Sequence, residues 1–82
     1  MRMLAELDGL ASRLGIDVRV EALEGGVPEP RGGLCYLRGR PLILVDDSLP
    51  IADRISIMAT ALAHFDLEGI YVPPAVRARI GA

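Results

Sequence analysis

The amino-acid sequence predicts an α+β fold: an N-terminal helix, a three-stranded sheet with one β-hairpin, a long core helix and a short C-terminal helix. Three observations support this class. Apolar residues recur at helical steps at the start of the chain, alternate with polar residues further on, and return to helical steps after residue 50. Two apolar runs on either side of residues 38–41 are typical of a β-hairpin. Aromatic side chains make up only 4% of the chain, so we expect an aliphatic core.

The first helix is expected over residues 4–14, where four leucines share one apolar stripe. Gly15 follows directly and suits the left-handed conformation that ends many helices. Residues 16–22 then alternate between apolar and polar side chains, which predicts a strand with one buried face.

Residues 24–33 contain four glycines and two prolines and are predicted to form a flexible loop. Glycine-rich loops also bind phosphates, but neither Lys nor Ser/Thr follows here at the required spacing. The plain loop is therefore the preferred interpretation, and whether the loop binds a ligand stays open.

The hairpin is expected to pair residues 34–37 with residues 42–45. Every residue of the second run is apolar, which favours burial on both faces or a central position in the sheet. Pro41 cannot donate a ladder hydrogen bond, so it should lie at the start of its strand or on an outward-facing edge.

A long core helix is predicted from Pro50 to about Leu67, with Ser48 or Asp47 as its N-cap and Gly69 as its C-terminal cap. Its apolar stripe consists of Ile51, Ile55, Met58, Leu62 and Phe65. Its polar side consists of Asp53, Ser56, Thr60 and His64.

Residues 73–82 are predicted to form a C-terminal helical tail, in which Val76 and Ile80 dock while Arg77 and Arg79 face water. The 82 residues leave room for one hydrophobic core, so residues 1–82 are expected to form a single small domain.

Composition excludes several classes of protein. The net charge is −2 and aromatic residues are few, so we expect no nucleic-acid partner. No apolar run reaches the length of a membrane span, and the first residues include acids, so we expect no membrane partner and a cytoplasmic protein. Cys35 has no second cysteine to pair with, which excludes an intrachain disulfide.

Three segments together resemble the ImmA/IrrE-type zinc metallopeptidases. Residues 11–20 resemble the Leu-Gly-Ile turn and strand that open that family, and residues 33–45 resemble its hairpin. Residues 58–65 lie where the family's helix carries its zinc motif, His-Glu-x-x-His. The closing segment, 66–77, also resembles short bacterial proteins of the same general build, and this second resemblance implies no activity.

The zinc motif of the resembled family is mostly absent from this chain. Thr60 stands where the family has its first histidine ligand, and Ala61 stands where it has the general-base glutamate. Only His64 matches, as the second ligand, and it is the single histidine of the chain. Because zinc hydrolysis needs about three protein ligands and a base, the resemblance implies a peptidase-like fold without the peptidase.

The other candidate residues favour structural interpretations. His64, alone on the polar side of a helix near its C-terminus, is expected to be a surface or boundary residue rather than a metal ligand or an acid–base catalyst. Asp46 and Asp47 are expected to cap the core helix rather than act as a catalytic pair. Cys35 is expected to be a small buried apolar residue rather than a nucleophile.

The sequence therefore predicts a non-catalytic module that self-associates as a homodimer or small homo-oligomer, or binds a protein partner, and that uses no cofactor. Apolar residues make up 51% of the chain, more than so small a domain buries easily. Candidate surfaces are a free hairpin or strand edge and the alanine-rich flanks of the core helix. The alternative is a degenerate metal-dependent hydrolase that retains metal binding through His64.

Overall fold

The computed structural model describes residues 2–23 and 31–81. The chain forms α1 (Arg2–Arg13), β1 (Asp17–Glu21), β2 (Gly32–Leu37), β3 (Arg40–Asp46), α2 (Ile51–Leu62) and α3 (Pro74–Ile80). This order of elements confirms the predicted α+β fold. Most of the predicted loop, residues 24–30, lies outside the described residues. Gly32 and Gly33, predicted to belong to the loop, are instead the first residues of β2.

The sheet has the strand order β1-β3-β2, with β1 parallel and β2 antiparallel to β3. The run that is apolar at every position is thus the central strand, as predicted. Pro41 lies near the start of β3 opposite Tyr36, and pairing with β1 begins one residue later, at Leu42. The missing N–H of Pro41 therefore leaves no gap in the ladder to β1.

The hairpin turn consists of Arg38 and Gly39, between the paired residues Leu37 and Arg40. Both turn residues have positive φ, 54° for Arg38 and 80° for Gly39, which is typical of a type I′ turn. This turn matches the twist of the two strands and fixes the register of β2 against β3.

The helices cover one face of the sheet. Ile43 and Val45 of β3 are almost completely buried in the cluster formed with the helices, whereas Leu42 and Leu44 alternate to the opposite face. The largest side chains with under 2% exposure are Leu7, Leu10, Ile43, Met58, Leu62, Val45 and Val76. The core is aliphatic, as the composition predicts.

The end of α1 follows the sequence closely. Gly15 has φ of 74° and its N–H bonds to the Ser12 carbonyl, while the Ile16 N–H bonds to the Ala11 carbonyl. These two hydrogen bonds define a Schellman motif. The alternation predicted for β1 holds only in part, because Val20 is 48% exposed. Asp8 and Ser12 of α1 lie beside this strand and border an open depression next to Val20.

The core helix α2 is shorter than predicted, since it ends at Leu62 rather than near Leu67. The next turn is tighter, because the Phe65 N–H bonds to the Leu62 carbonyl, three residues back. Asp66 then accepts a hydrogen bond from the Glu68 N–H (2.9 Å), which offers the backbone an alternative to further helix. Phe65 and Leu67 still pack against the core from this turn, which is why the apolar stripe continues past the helix.

Two further predictions for α2 are wrong. Ile51 is the first residue of the helix and is 44% exposed, so it does not belong to the core stripe. Gly69 has positive φ, but it lies in a separate turn beyond the helix end.

The predicted N-cap of α2 is also wrong. The N-cap is Pro50, which makes no side-chain hydrogen bond. Ser48 instead hydrogen-bonds to Asp46. Arg54, in the first turn of the helix, donates to the carbonyl of Asp47 (2.7 Å) and so fastens the preceding turn to the helix.

The C-terminal helix α3 follows the prediction. Pro74 is its first residue, Val76 and Ile80 are buried, and Gly81 ends it in the left-handed conformation. Arg79 is exposed and donates to the Ser56 hydroxyl of α2 (2.9 Å).

Candidate functional site

A groove of about 360 Å³ lies between β2 and α2, and we call it the β2–α2 groove. On the strand side it is lined by Gly32, Gly33, Leu34 and Tyr36. On the helix side it is lined by Ser56, Ile57, Thr60, Ala61 and His64, the last of which lies just beyond the end of α2. None of these side chains carries a formal charge at pH 7 when the histidine is neutral.

The helical repeat sets the two rows on the α2 side of the groove. Ile57 and Ala61 are one turn apart and are buried against the sheet, with 5% and 2% exposure. The outer row, Ser56, Thr60 and His64, is exposed at the rim. Small residues on both walls keep the groove open.

The positions singled out by the metallopeptidase resemblance all line this groove. Thr60, Ala61 and His64 lie on the same side of it, so the structure brings the predicted positions together. In the part of the chain that is described, no group of three or more His, Cys, Asp or Glu residues is placed to hold a metal ion.

The outer side of β2 is a strand edge. The Asp46 N–H of β3 bonds to the Arg31 carbonyl (3.0 Å), and Pro41 has no N–H with which to bond. In an antiparallel pair of strands, the backbone groups of successive residues point alternately toward the partner strand and away from it. The two observations show which residues of β2 point toward β3, and this alternation is called the ladder phase below. Gly32, Leu34 and Tyr36 therefore direct their N–H and C=O groups away from β3. We call these groups the β2 edge; no strand within residues 2–23 or 31–81 pairs with them.

The two edges of the sheet differ in charge. β1 carries Asp17, Arg19 and Glu21, all exposed, and charged side chains protect an edge strand from pairing with other chains. β2 contains no charged residue, no proline and no bulge. Its Tyr36 and Leu37 are 62% and 51% exposed. Among residues 2–23 and 31–81, the β2 edge therefore lacks the usual protection.

Asp46 forms a separate polar cluster at the end of β3. Its carboxylate is 3% exposed and accepts hydrogen bonds from the Ser48 N–H and Oγ (both 3.1 Å) and from the Arg31 guanidinium. Arg31 also donates to the Leu23 carbonyl (2.9 Å). The Ser48 backbone N–H, followed by Arg31, lowers the pKa of Asp46 below its ordinary value.

This cluster is a structural fastening that sequence reasoning missed. Arg31 joins the end of β1 to the start of β2 through Asp46 and the backbone. The predicted role of Asp46 and Asp47 as helix caps is wrong. Asp46 accepts hydrogen bonds from Ser48 in the turn after β3, and neither carboxylate caps α2, whose N-cap is Pro50. The signal for Asp46 was a carboxylate followed by serine two residues later, which also predicts an Asx turn.

The remaining candidates lie apart from the groove or from one another. Cys35 is half-buried in the middle of β2. Arg38 and Arg40 border a depression at the hairpin, whereas Arg77 borders a different one beside Asp66. The structure thus does not bring the arginines of the hairpin and of α3 into one basic surface.

Across the described ranges, no helix has the length and apolar character needed to cross a lipid bilayer. The kinship with zinc metallopeptidases stays a prediction drawn from the sequence. Comparison with protein-family models, with curated proteins and with solved structures finds no match for this chain.

Proposed function

We propose that this protein is a non-catalytic protein-interaction module that binds an extended polypeptide segment along the β2 edge. One observation carries the proposal: an unprotected, uncharged strand edge directly adjoins an apolar groove. An added strand gains main-chain hydrogen bonds from such an edge, and its alternate side chains enter the neighbouring groove.

The composition of the groove supports a binding role over a catalytic one. Its titratable side chains are those of Tyr36 and His64, which lie on opposite walls. Ala61 offers no proton acceptor where a hydrolytic zinc site needs its base. The backbone groups of the β2 edge are, by contrast, a ready set of donors and acceptors.

The test is the solution mass by light scattering after size exclusion, over a tenfold concentration range. We expect a species heavier than the 8.8 kDa chain, because the exposed edge is present on every copy. Tyr36→Lys places a charge on the β2 edge and is expected to weaken this association. Tyr71→Lys is the matched control, since Tyr71 is 72% exposed and does not line the groove. A monomer at every concentration excludes a second copy as the bound segment, and the proposed function then requires a different polypeptide partner.

The second candidate function is residual metal-dependent hydrolysis through His64. The observation that favours it is that His64, Thr60 and Ala61 line one groove, as the resembled motif requires. Zinc analysis of protein purified without a histidine tag separates the two functions. Stoichiometric zinc that is lost in His64→Ala supports the metal site, and absence of zinc contradicts it.

A further inference from the structure

We infer that the segment bound at the β2 edge is β2 of a second copy, paired antiparallel about a two-fold axis at Leu34. The two sheets then join into one of six strands, ordered β1-β3-β2-β2-β3-β1. This inference rests on the proposed function and names its partner and its register.

The phase of the ladder selects the register. The outward-facing residues of β2 are Gly32, Leu34 and Tyr36, and only outward-facing residues exchange hydrogen bonds across the new edge. When Leu34 faces its own copy, Gly32 faces Tyr36 on both sides, and the three pairs form about six hydrogen bonds. A register shifted by two residues leaves about four hydrogen bonds. A register shifted by one residue places outward-facing backbone groups of one copy opposite residues of the other copy whose backbone groups point toward β3, so these pairs do not bond.

The side chains fit the same register. On the helix side of the sheet, Tyr36 lies across from Gly32 of the second copy, where no side chain competes for the space. On the other side, Cys35 lies across from Gly33. An aromatic ring lying over a cross-strand glycine is a known stabilising arrangement in sheets.

The distribution of charge favours a second copy of the chain. A two-fold axis brings each surface against itself, so a patch with net charge would repel its copy. The β2 edge and the lining of the β2–α2 groove are uncharged, although the chain has nine arginines and eleven acidic residues. Two charged side chains border this surface: Arg31, which contacts Asp46, and Arg79, which donates to the Ser56 hydroxyl at the rim of the groove.

The groove supplies the area that a strand edge lacks. A six-residue strand is only about 20 Å long. A stable interface takes about 800 Å² from each partner, so β2 alone does not suffice. In the two-fold arrangement the rim of α2, formed by Ser56, Thr60 and His64, faces the second copy across the axis. Thr60 is small and uncharged, whereas Ser56 holds the exposed Arg79 guanidinium, so the closest approach of the two helices is expected at Thr60.

The first experiment compares Tyr36→Pro with Tyr36→Thr by light scattering and circular dichroism. Because the Tyr36 N–H points away from β3, proline removes a hydrogen bond to the second copy while the hairpin keeps its own. We expect Tyr36→Pro to be a folded monomer at concentrations where the wild type is a dimer. Tyr36→Thr retains the N–H and is expected to dimerise more weakly than the wild type.

The outcomes separate the inference from the proposed function. A dimer that persists in Tyr36→Pro overturns the β2 pairing, because the two copies then associate through another surface. A wild-type chain that is monomeric throughout overturns the pairing of two copies and leaves the β2 edge as a binding site for a different polypeptide.

Oxidative crosslinking tests the register and does not depend on the proline variant folding. In a Cys35→Ser background, Leu34→Cys places two thiols opposite each other at a Cα separation of about 5.5 Å, within disulfide range. The native Cys35 residues are diagonal neighbours about 7–8 Å apart, beyond that range. We expect a covalent dimer from Leu34→Cys, and little from the wild type or from Tyr71→Cys in the Cys35→Ser background. Crosslinking through Cys35 without crosslinking through Leu34→Cys overturns the register.

Discussion

The buried carboxylate of Asp46 holds the turn after β3 and the start of β2 together. Its pKa is lowered, chiefly by the Ser48 backbone N–H and then by Arg31, so the folded state favours the charged form. The stabilisation is complete above the ordinary carboxyl pKa of about 4 and is lost as the pH falls through the lower pKa of the folded state. We expect the melting temperature to fall with acidification in this range.

The variant Asp46→Asn isolates this effect. It keeps the size of the side chain but cannot be ionised, so its melting temperature should be lower at neutral pH and should approach that of the wild type in acid. Asp8 has the opposite influence, because partial burial raises its pKa. Its contribution cancels when the two proteins are compared at each pH. Parallel pH profiles for the two proteins would contradict the role of Asp46.

Leu62 tests the packing of α2 at the residue scale. Its side chain has 0% exposure in the core cluster, so Leu62→Ala is expected to cost about 2–5 kcal/mol and Leu62→Asp to unfold the chain. The neighbouring Ala63 is exposed, and Ala63→Asp should change stability by less than about 1 kcal/mol. Thermal melts followed by circular dichroism measure all three. A folded Leu62→Asp variant with wild-type melting behaviour would contradict the position of α2.

At the scale of elements, the hairpin turn carries a local strain. Arg38 has φ of 54°, a conformation that costs most side chains about 1 kcal/mol or more. Asparagine tolerates it and forms the preferred Asn-Gly pair with Gly39. We expect Arg38→Asn to stabilise the chain by up to about 1 kcal/mol, and so to raise Tm by several degrees.

The control for the turn is Arg40→Asn, which removes the same charge from the first residue of β3. Asparagine is unfavourable in strands, so no gain in Tm is expected there. Equal gains from both variants would show that the loss of charge, and not the turn conformation, is responsible.

The sequence predicted the ends of elements correctly where those ends depend on adjacent residues. The Schellman motif at Gly15 and the start of α3 at Pro74 are determined by one or two residues of fixed conformational preference. The predicted ends of α2 were wrong because side chains form hydrogen bonds near both ends that the apolar pattern does not indicate. Asp66 competes for a backbone N–H, and Asp46 binds Arg31 from a distant part of the chain.

The candidate site was predicted only in outline. A strand edge and the flanks of the core helix were expected as interaction surfaces, and the groove lies where these two meet. Which strand is the edge, and which of its residues face outward, depend on the order β1-β3-β2 and the ladder phase. The strand order and the ladder phase depend on pairing between strands that are distant in sequence, and the sequence pattern around Tyr36 does not indicate that pairing.

At the scale of the whole molecule, the proposed pairing of two β2 edges would account for the apolar excess. The helices cover one face, and of the two edge strands only β1 is protected by charge. A chain of 82 residues buries only about 60–65% of its unfolded surface, so the proposed second copy would add a large fraction to its core. Association and stability should therefore be coupled.

This coupling predicts that the melting temperature rises with protein concentration. A partner that binds only the folded state stabilises it by about 2.7 kcal/mol at a hundredfold excess over Kd, which for a domain of this size raises Tm by on the order of 10 °C. Differential scanning calorimetry over a hundredfold concentration range measures the effect. Tyr36→Pro should melt at one temperature throughout, because its β2 edge lacks a donor that dimerisation requires. If the wild type also melts at one temperature, the folded chain is stable by itself and the β2 edge contributes nothing to its stability.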